Sequence, residues 1–223
     1  MVKRNIKLNN KNHSAFYPGY FDPNNEIEVY YGQHGNLPHI IQEKVWFFVT
    51  FRLADAIPLE KIIQLKIEKE NWLKNHNIHN LTKEEKKEYY TLFSEQFENW
   101  LNAGYGCCIL RNEKVSKMVS NSILYFNNIR YRLNEWVIMP NHIHILIKPI
   151  FEFKLYDIMH SLKSYTAHNI NKIMSQKGKV WMHESYDHIV RNDKALEAIR
   201  YYIRMNPVVA NIELPDYCCS WKI

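Results

Sequence analysis

The chain has 223 residues, which suits one large domain, and it carries a formal net charge of +6. Hydrophobic residues make up 46% of the chain, so we expect a packed core, and global disorder is excluded. The longest apolar runs, 45–51 and 143–147, fall far short of the roughly 20 residues that a membrane span needs. The basic start MVKRNIKLNNKN has no apolar segment behind it, which predicts a cytoplasmic protein without a secretory signal.

The positive charge is concentrated in the second half of the chain. Residues 1–106 contain 13 basic and 13 acidic side chains, residues 107–214 contain 15 and 9, and the last nine contain one of each. This excess favours an anionic partner, and nucleic acid before membrane, although it is also typical of an ordinary solvated surface. The four cysteines form two adjacent pairs without CxxC spacing, which argues against a zinc finger or a disulfide framework.

The chain divides into an arm, a domain with an insertion, and a tail. Residues 1–43 are rich in Asn, Gly, Pro and Tyr without sustained periodicity, which predicts an irregular N-terminal arm. The main domain is predicted over 44–214. Apolar residues at helical spacing predict a helical insertion at about 56–104, and residues 215–223 form a C-terminal tail.

Strands and helices alternate along the domain. The aromatic and β-branched segment 44–53 predicts a first strand, and the insertion that follows has Thr82 as a helix N-cap and Gly104 as a stop. The later elements are a helix, two strands, a helix, a strand and a helix, predicted over 113–126, 131–139, 142–148, 155–174, 185–191 and 193–206, the last ended by Pro207. The order predicts an α+β protein with a ferredoxin-like split βαβ fold, in which an antiparallel sheet carries helices on one face.

The segment WVIMPNHIHILIK places two histidines two residues apart on a strand. Side chains alternate between the faces of a strand, so His142 and His144 project from one face while Ile143, Ile145 and Ile147 pack on the other. Two imidazoles about 7 Å apart along the backbone can converge on one divalent ion. By itself an HxH pair is a weak indication of a metal site.

The segment RYYIRMNP places Tyr202 and Asn206 one turn apart on a helix. A phenol can act as a nucleophile and an amide oxygen can bind a metal, but on this helix alone a tyrosine at the core edge and a C-capping asparagine are the better interpretation. Tyr165, Tyr186 and Tyr201 are rival nucleophiles, none with a similar Asn-Pro block.

The helix over 155–174 has a predicted buried stripe and a polar face. The stripe comprises Leu155, Ile158, Met159, Leu162, Tyr165 and Ile173. The polar face includes Lys163, which could contact phosphates or simply face solvent.

Four ordered blocks together resemble a known family. NSILYF..IRYRLNEWVIMPNHIHILIKP, IMHSLKSYTAHNIN, VWMHESYDHIVRN and AIRYYIRMNPVVANI, spanning roughly residues 105–214, are similar to the REP-associated tyrosine transposases, relatives of the small insertion-sequence transposases that use one catalytic tyrosine. The run PHIIQEKVWFFVTFRL also resembles the first strand of that family. Two features depart from it: Ala210-Asn211-Ile212 replaces the usual Ala-Gly-Leu, and the helical insertion has no assigned role.

The resemblance implies roles for individual residues. The HUH motif of the family, two histidines around a hydrophobic residue, falls on His142 and His144, its third metal ligand on Asn206, and its nucleophile on Tyr202. The implied cofactor is Mg²⁺ or Mn²⁺.

The implied activity is the nicking and rejoining of single-stranded or hairpin DNA at palindromic repeats through a 5′-phosphotyrosine intermediate. Lys163 and Arg204 are predicted DNA contacts, and Tyr17, Tyr20 or Phe21 of the arm could stack bases. Relatives act either alone or as dimers, so a homodimer is also an expected state.

Two other functions stay open at this point. One is a DNA-hairpin-binding protein that has lost catalysis, and the other is an unrelated histidine-metal hydrolase that turns over small phosphoesters. Intact His142, His144, Tyr202 and Asn206 argue against the first.

Overall fold

A short antiparallel ladder lies within the predicted arm. The computed structural model describes residues 19–22, 28–31, 38–77 and 80–222. Strand β1 (Glu28–Tyr31) pairs with β2 (Pro38–Ile41), so the prediction of an irregular segment throughout 1–43 is wrong here. The segments EVYY and PHII are rich in β-formers, a signal that outweighs the Asn, Gly and Pro around them.

Four antiparallel strands form the central sheet. They are β3 (Phe47–Arg52), β4 (Tyr131–Ile138), β5 (His142–Pro149) and β6 (Tyr186–Ile189). Their order across the sheet is β4-β5-β3-β6, and each neighbouring pair is antiparallel. This order is that of the split βαβ unit, which confirms the predicted fold class.

The insertion between β3 and β4 is helical, as predicted. It contains α1 (Leu59–Asn75), α2 (Lys83–Tyr89), a π-helical stretch (Tyr90–Glu95) and α3 (Gln96–Asn102). Thr82 caps α2 as predicted: its hydroxyl accepts a hydrogen bond from the Glu85 amide at 3.1 Å, and the Glu85 carboxylate accepts one from the Thr82 amide at 2.7 Å.

Three helices cover the two faces of the sheet. Helices α4 (Glu113–Tyr125) and α5 (Leu155–Ile173) pack on the face that carries the isoleucines of β5, whereas α6 (Asp193–Val209) packs on the opposite face. The expectation of helices on one face therefore needs correction. The second face is also apolar, with Phe48, Val137 and Leu146, and α6 covers it through Ile203.

Helix α6 continues past Pro207 to Val209, beyond its predicted end. The proline removes one amide donor, but the carbonyl groups of the residues around it can still accept hydrogen bonds. The Asn206 carbonyl accepts from the Ala210 amide at 3.1 Å, so the last turn still forms.

The buried stripe of α5 differs from its prediction at two positions. Tyr165 is 59% exposed and Ile173 is 36% exposed, whereas Thr166 is fully buried. Thr166 fits in the core because its hydroxyl donates to the Leu162 carbonyl at 2.7 Å and accepts from the Trp181 indole at 2.9 Å.

The last residues pack against β4. Cys219 forms an isolated antiparallel β-bridge with Val137 through the backbone, and the Ser220 hydroxyl accepts a hydrogen bond from the Trp136 amide at 3.0 Å. All four cysteines are free thiols; Cys107 is exposed and the other three are buried. Within the part of the chain that the structure describes, no helix combines the length and apolar character needed to cross a membrane.

Candidate active site

Strand β5 carries the two histidines on the face covered by α6. Their rings lie 4.7 Å apart between centroids, and both side chains are fully buried. Ile143 and Ile145 point to the opposite face, into the core formed with α4 and α5. The predicted alternation is therefore confirmed.

Hydrogen bonds fix the ring of His142. The Asn141 amide nitrogen donates to the Tyr105 carbonyl at 3.1 Å, which turns the Asn141 Oδ1 toward the Nδ1 of His142, 2.8 Å away. Nδ1 must therefore carry the proton, and Nε2 presents a lone pair. That lone pair faces the Oδ1 of Asn206 at 3.3 Å, so two acceptors point at one another.

His144 is held from the neighbouring strand by a hydroxyl, which can donate to the ring or accept from it. Its Nδ1 lies 2.8 Å from the Thr50 hydroxyl, and its ring stacks on Phe48 with centroids 5.4 Å apart. Its Nε2 is buried without a hydrogen-bond partner. Burial lowers the pKa of His142 to about 4 and that of His144 well below its usual value, so both rings are neutral.

Helix α6 brings Tyr202 and Asn206 to the histidines. The Tyr202 ring lies 5.2 Å from the His144 ring and 5.6 Å from Phe48, centroid to centroid. Asn206, one turn further along the helix, is buried, and its Oδ1 lies 3.3 Å from the Nε2 of His142. All four residues predicted for the site meet within one chain, so no exchange of helices between subunits is needed to assemble it.

Glu98 of α3 also reaches this site, which sequence analysis did not predict. The Tyr202 hydroxyl donates to the Glu98 Oε2 at 2.5 Å. Burial first, and then the charge of Glu98, raise the pKa of Tyr202 far above its usual value. Burial also raises the pKa of Glu98, which makes it a stronger base than an exposed carboxylate. In the sequence, Glu98 is one of several acidic residues in a helical pattern, and nothing local distinguishes it.

Arg52 is a second residue that sequence analysis missed. It pairs with His142 across β3 and β5, so the two side chains start from the same face, and it is 9% exposed. Its guanidinium lies over the Phe97 ring at 5.6 Å and makes one long hydrogen bond of 3.4 Å to the Leu53 carbonyl. Within the described residues it forms no ion pair, and burial lowers its pKa. A buried cation without a carboxylate is costly for the free protein, which suggests an anionic occupant.

The two predicted DNA contacts lie away from the histidines. Lys163 is on α5, on the opposite face of the sheet, where its ammonium donates to the His183 carbonyl at 2.8 Å and the Ser185 hydroxyl at 3.2 Å. Arg204 is on α6, where its guanidinium pairs with Glu135 at 2.5 Å. Both stay predictions as DNA ligands, and both have structural partners.

The rival tyrosines separate by position. Tyr165 lies on α5, behind the sheet, and Tyr201 is 67% exposed. Tyr186 pairs with Thr50 across β6 and β3, so its side chain starts on the active-site face, and the charge of Glu98 contributes to its raised pKa after burial. Tyr186 is therefore the rival that an experiment must test. Tyr17 lies outside the described residues, and the Tyr20 hydroxyl donates to Asp193.

The donor set fits a divalent cation. No group of three His, Cys, Asp or Glu side chains among the described residues could hold a metal ion, so a metal here would need Asn206 as its third ligand. The lone pair of His142, the unpaired Nε2 of His144 and the amide oxygen of Asn206 are suitable nitrogen and oxygen donors. A cation would also relieve the contact between acceptors of His142 and Asn206.

Comparison with known proteins shows a similarity to one family. Residues 107–206 match the family described as "Transposase IS200 like". This match covers just under half of the chain. It supports a DNA-processing function of the transposase type, as the resemblance implied. The matched residues include His142, His144, Tyr202 and Asn206, whereas Arg52 and Glu98 precede them.

The fold also resembles a solved structure, that of a REP-associated tyrosine transposase bound to a REP hairpin. The sequences are 17% identical, and the TM-score is 0.41 over 74% of this chain and 67% of that chain. No curated protein matches the sequence significantly.

Proposed function

We propose that this chain cuts and rejoins single-stranded DNA at hairpin-bearing repeats, with Tyr202 as the nucleophile. The observation that carries the proposal is the convergence of the Tyr202 hydroxyl, two neutral histidines and the Asn206 amide in one buried site. The family match and the excess positive charge of residues 107–214 support DNA as the substrate. The REP hairpin in the similar solved structure suggests the kind of DNA to test first.

In the proposed reaction, the Tyr202 oxygen attacks the scissile phosphorus. A bond forms between the phenol oxygen and phosphorus, and the bond to the 3′ oxygen breaks. The leaving 3′ oxygen takes a proton from solvent water, which leaves a 5′-phosphotyrosine and a free 3′-hydroxyl. Glu98 accepts the phenol proton across the 2.5 Å hydrogen bond. The new linkage is again a phosphodiester, so a later 3′-hydroxyl can reverse the step and join a strand without ATP.

The other residues hold the reacting groups. Mg²⁺ or Mn²⁺ bound by His142, His144 and Asn206 would polarise the scissile phosphate and offset its developing charge. Asn141 keeps the lone pair of His142 directed into the site, and Thr50 orients the ring of His144. The guanidinium of Arg52, buried without an acidic partner, is available to a phosphate of the bound strand.

The test is covalent capture of DNA. The protein is incubated with Mn²⁺ and labelled single-stranded DNA from the hairpin-bearing flanks of its own gene, and an adduct that survives denaturation is measured. We expect the adduct with the wild type and with Tyr186→Phe, and its loss with Tyr202→Phe or a chelator.

Other results would contradict the proposal in specific ways. An adduct that persists in Tyr202→Phe but disappears in Tyr186→Phe would show that the nucleophile is Tyr186 of β6 and not Tyr202. Tight hairpin binding with no adduct under any divalent metal would make the chain a DNA-binding protein without catalysis. Turnover of small phosphoesters without a DNA adduct would indicate a metal hydrolase.

A further inference from the structure

A groove of about 840 Å³ lies between α4 and α5, on the face of the sheet opposite the histidines. We call it the α4–α5 groove. Its floor is apolar and includes the buried side chains of Tyr131, Ile158 and Leu162. A groove of this size on the far side of the sheet has no role in the reaction proposed above.

The charged side chains that line the groove are basic. Lys114, Lys117 and Arg130 line it, and among the residues that the structure describes no acidic side chain does. Lys117 pairs with Glu113 one turn earlier at 2.6 Å, which offsets its charge, but Lys114 and Arg130 have no such carboxylate. The guanidinium of Arg130 lies on the Phe126 ring at 3.7 Å. The groove therefore favours an anionic occupant.

Two exposed aromatic rings narrow the choice of anion. Tyr125 and Tyr165 line the groove and are 72% and 59% exposed. Exposed rings beside unpaired cations are the combination that single-stranded nucleic acid uses, because bases stack on the rings while phosphates contact the cations. A small inorganic anion would not need the rings or the apolar floor.

We infer that the α4–α5 groove is a second DNA site, which stacks unpaired bases of the substrate on Tyr125 and Tyr165 and holds adjacent phosphates with Lys114 and Arg130. This inference rests on the proposed function, because it concerns the same DNA. It adds a site that recognises the strand at a distance from the bond that is cut.

The sheet sets the length of DNA that can reach both sites. Tyr131 begins β4, and Ile138, seven residues later, pairs with Ile143 beside His142. Seven residues of strand extend roughly 20 Å, and the two sites are also on opposite faces. At about 3.4 Å per nucleotide, a stacked strand covers this distance in about six nucleotides, and the change of face adds at least one more, so a stacked strand of about seven nucleotides beyond the cut reaches the groove.

The experiment compares the wild type with the double variant Tyr125→Ala/Tyr165→Ala, with Lys172→Gln as a control on α5 outside the groove. Binding is measured by fluorescence anisotropy on hairpin DNA whose single-stranded flank is shortened in steps. We expect the wild type to lose affinity as the flank falls below about seven nucleotides. We expect the double variant to bind long flanks at least tenfold more weakly and to show no dependence on length.

A second readout separates this inference from the proposed function. In the double variant, the DNA concentration for half-maximal adduct formation should rise, while the yield at saturating DNA recovers. If the wild type forms the adduct but the double variant binds long flanks within twofold of it, the inference is wrong and the proposed function stands. If the wild type forms no adduct and binds no hairpin, both fail.

A third outcome would reassign the groove. If the double variant binds DNA normally but loses affinity for a labelled polyglutamate peptide, the groove is a docking surface for an acidic protein segment, which overturns the inference. Because both rings are more than half exposed, we expect the thermal unfolding midpoint to be unchanged in the double variant.

Discussion

The two regions that form the active site are packed very differently. His142 and His144 lie on an inner strand, fully buried and each hydrogen-bonded by a neighbour. The insertion supplies Glu98, but α1 and α2 contain no buried residue, and only Phe93 and Leu101 are buried in the π-helical stretch and α3. The proposed metal ligands thus lie in the well-packed part of the protein, whereas Glu98, which is hydrogen-bonded to the proposed nucleophile Tyr202, belongs to a thinly packed part. Regions of low packing open most readily, so the insertion is suited to admit the DNA strand.

The largest effect is expected in the sheet. His144→Ala should abolish Mn²⁺ binding in the absence of DNA, measured by calorimetry, and slow adduct formation about 1,000-fold, since charge stabilisation of several kcal/mol is lost. His188→Ala is the control, because His188 lies on the same face of β6 and is exposed. Unchanged Mn²⁺ affinity in His144→Ala would refute the assignment of the ligands.

A smaller effect is expected in the insertion. Glu98→Gln keeps the size of the side chain but removes the proton acceptor, so adduct formation should slow about 100-fold while Mn²⁺ affinity is unchanged. Glu95→Gln, an exposed neighbour one turn earlier, should behave as the wild type. If Glu98→Gln forms the adduct as fast as the wild type, Glu98 is not the proton acceptor and the insertion contributes no catalytic residue.

Arg52 lies where the two regions meet, and its replacement should separate stability from function. Arg52→Met removes a buried unpaired cation, so the free energy of unfolding should rise by about 1 kcal/mol. The same change should weaken DNA binding about tenfold, because one contact to phosphate is lost. Chemical denaturation and anisotropy measure the two quantities, with the exposed Arg132→Met as control. A fall in stability would show that Arg52 is structural.

The smallest effect on activity is expected at Lys163. Burial lowers its pKa to about 8, below the value of about 10.4 in an unfolded chain. Between these values the unfolded chain holds a proton that the folded protein has released, so the free energy of unfolding rises with pH. Relative to Lys163→Met, the wild type should gain about 2 kcal/mol from pH 8 to 10, measured by urea denaturation. Adduct formation should be unchanged in the variant; a loss would restore Lys163 as a DNA contact.

Residues whose relative positions follow from local periodicity could be predicted from the sequence. The alternation along β5 placed His142 and His144 on one face, and the helical repeat placed Tyr202 and Asn206 one turn apart. The family resemblance then joined the two pairs, which are about sixty residues apart in the chain. The same periodicity was less accurate for α5, where a hydrogen-bonded threonine replaces Tyr165 in the core.

Residues that act through tertiary contacts could not be predicted. Glu98 is 104 residues from Tyr202, and only the packing of α3 brings them together. Arg52 follows a run of apolar and aromatic residues, so in the sequence it resembles the exposed end of a strand. Its guanidinium is covered by Phe97 of the insertion, which the local sequence does not indicate. The packing of α6 on the second face of the sheet could not be predicted either, because the apolar pattern of a helix does not specify which face of the sheet it covers.

The distribution of the four residues over two elements has a consequence for control. Both histidines belong to one strand and both Tyr202 and Asn206 belong to one helix, so neither pair can be rearranged without its element. The catalytic geometry therefore exists only while α6 is docked on the sheet, through contacts such as Ile203 on Phe48 and Leu146. Small molecules or mutations that shift α6 as a rigid body would displace the proposed nucleophile and the proposed ligand together, and amide exchange along α6 would report how often the proposed site is assembled.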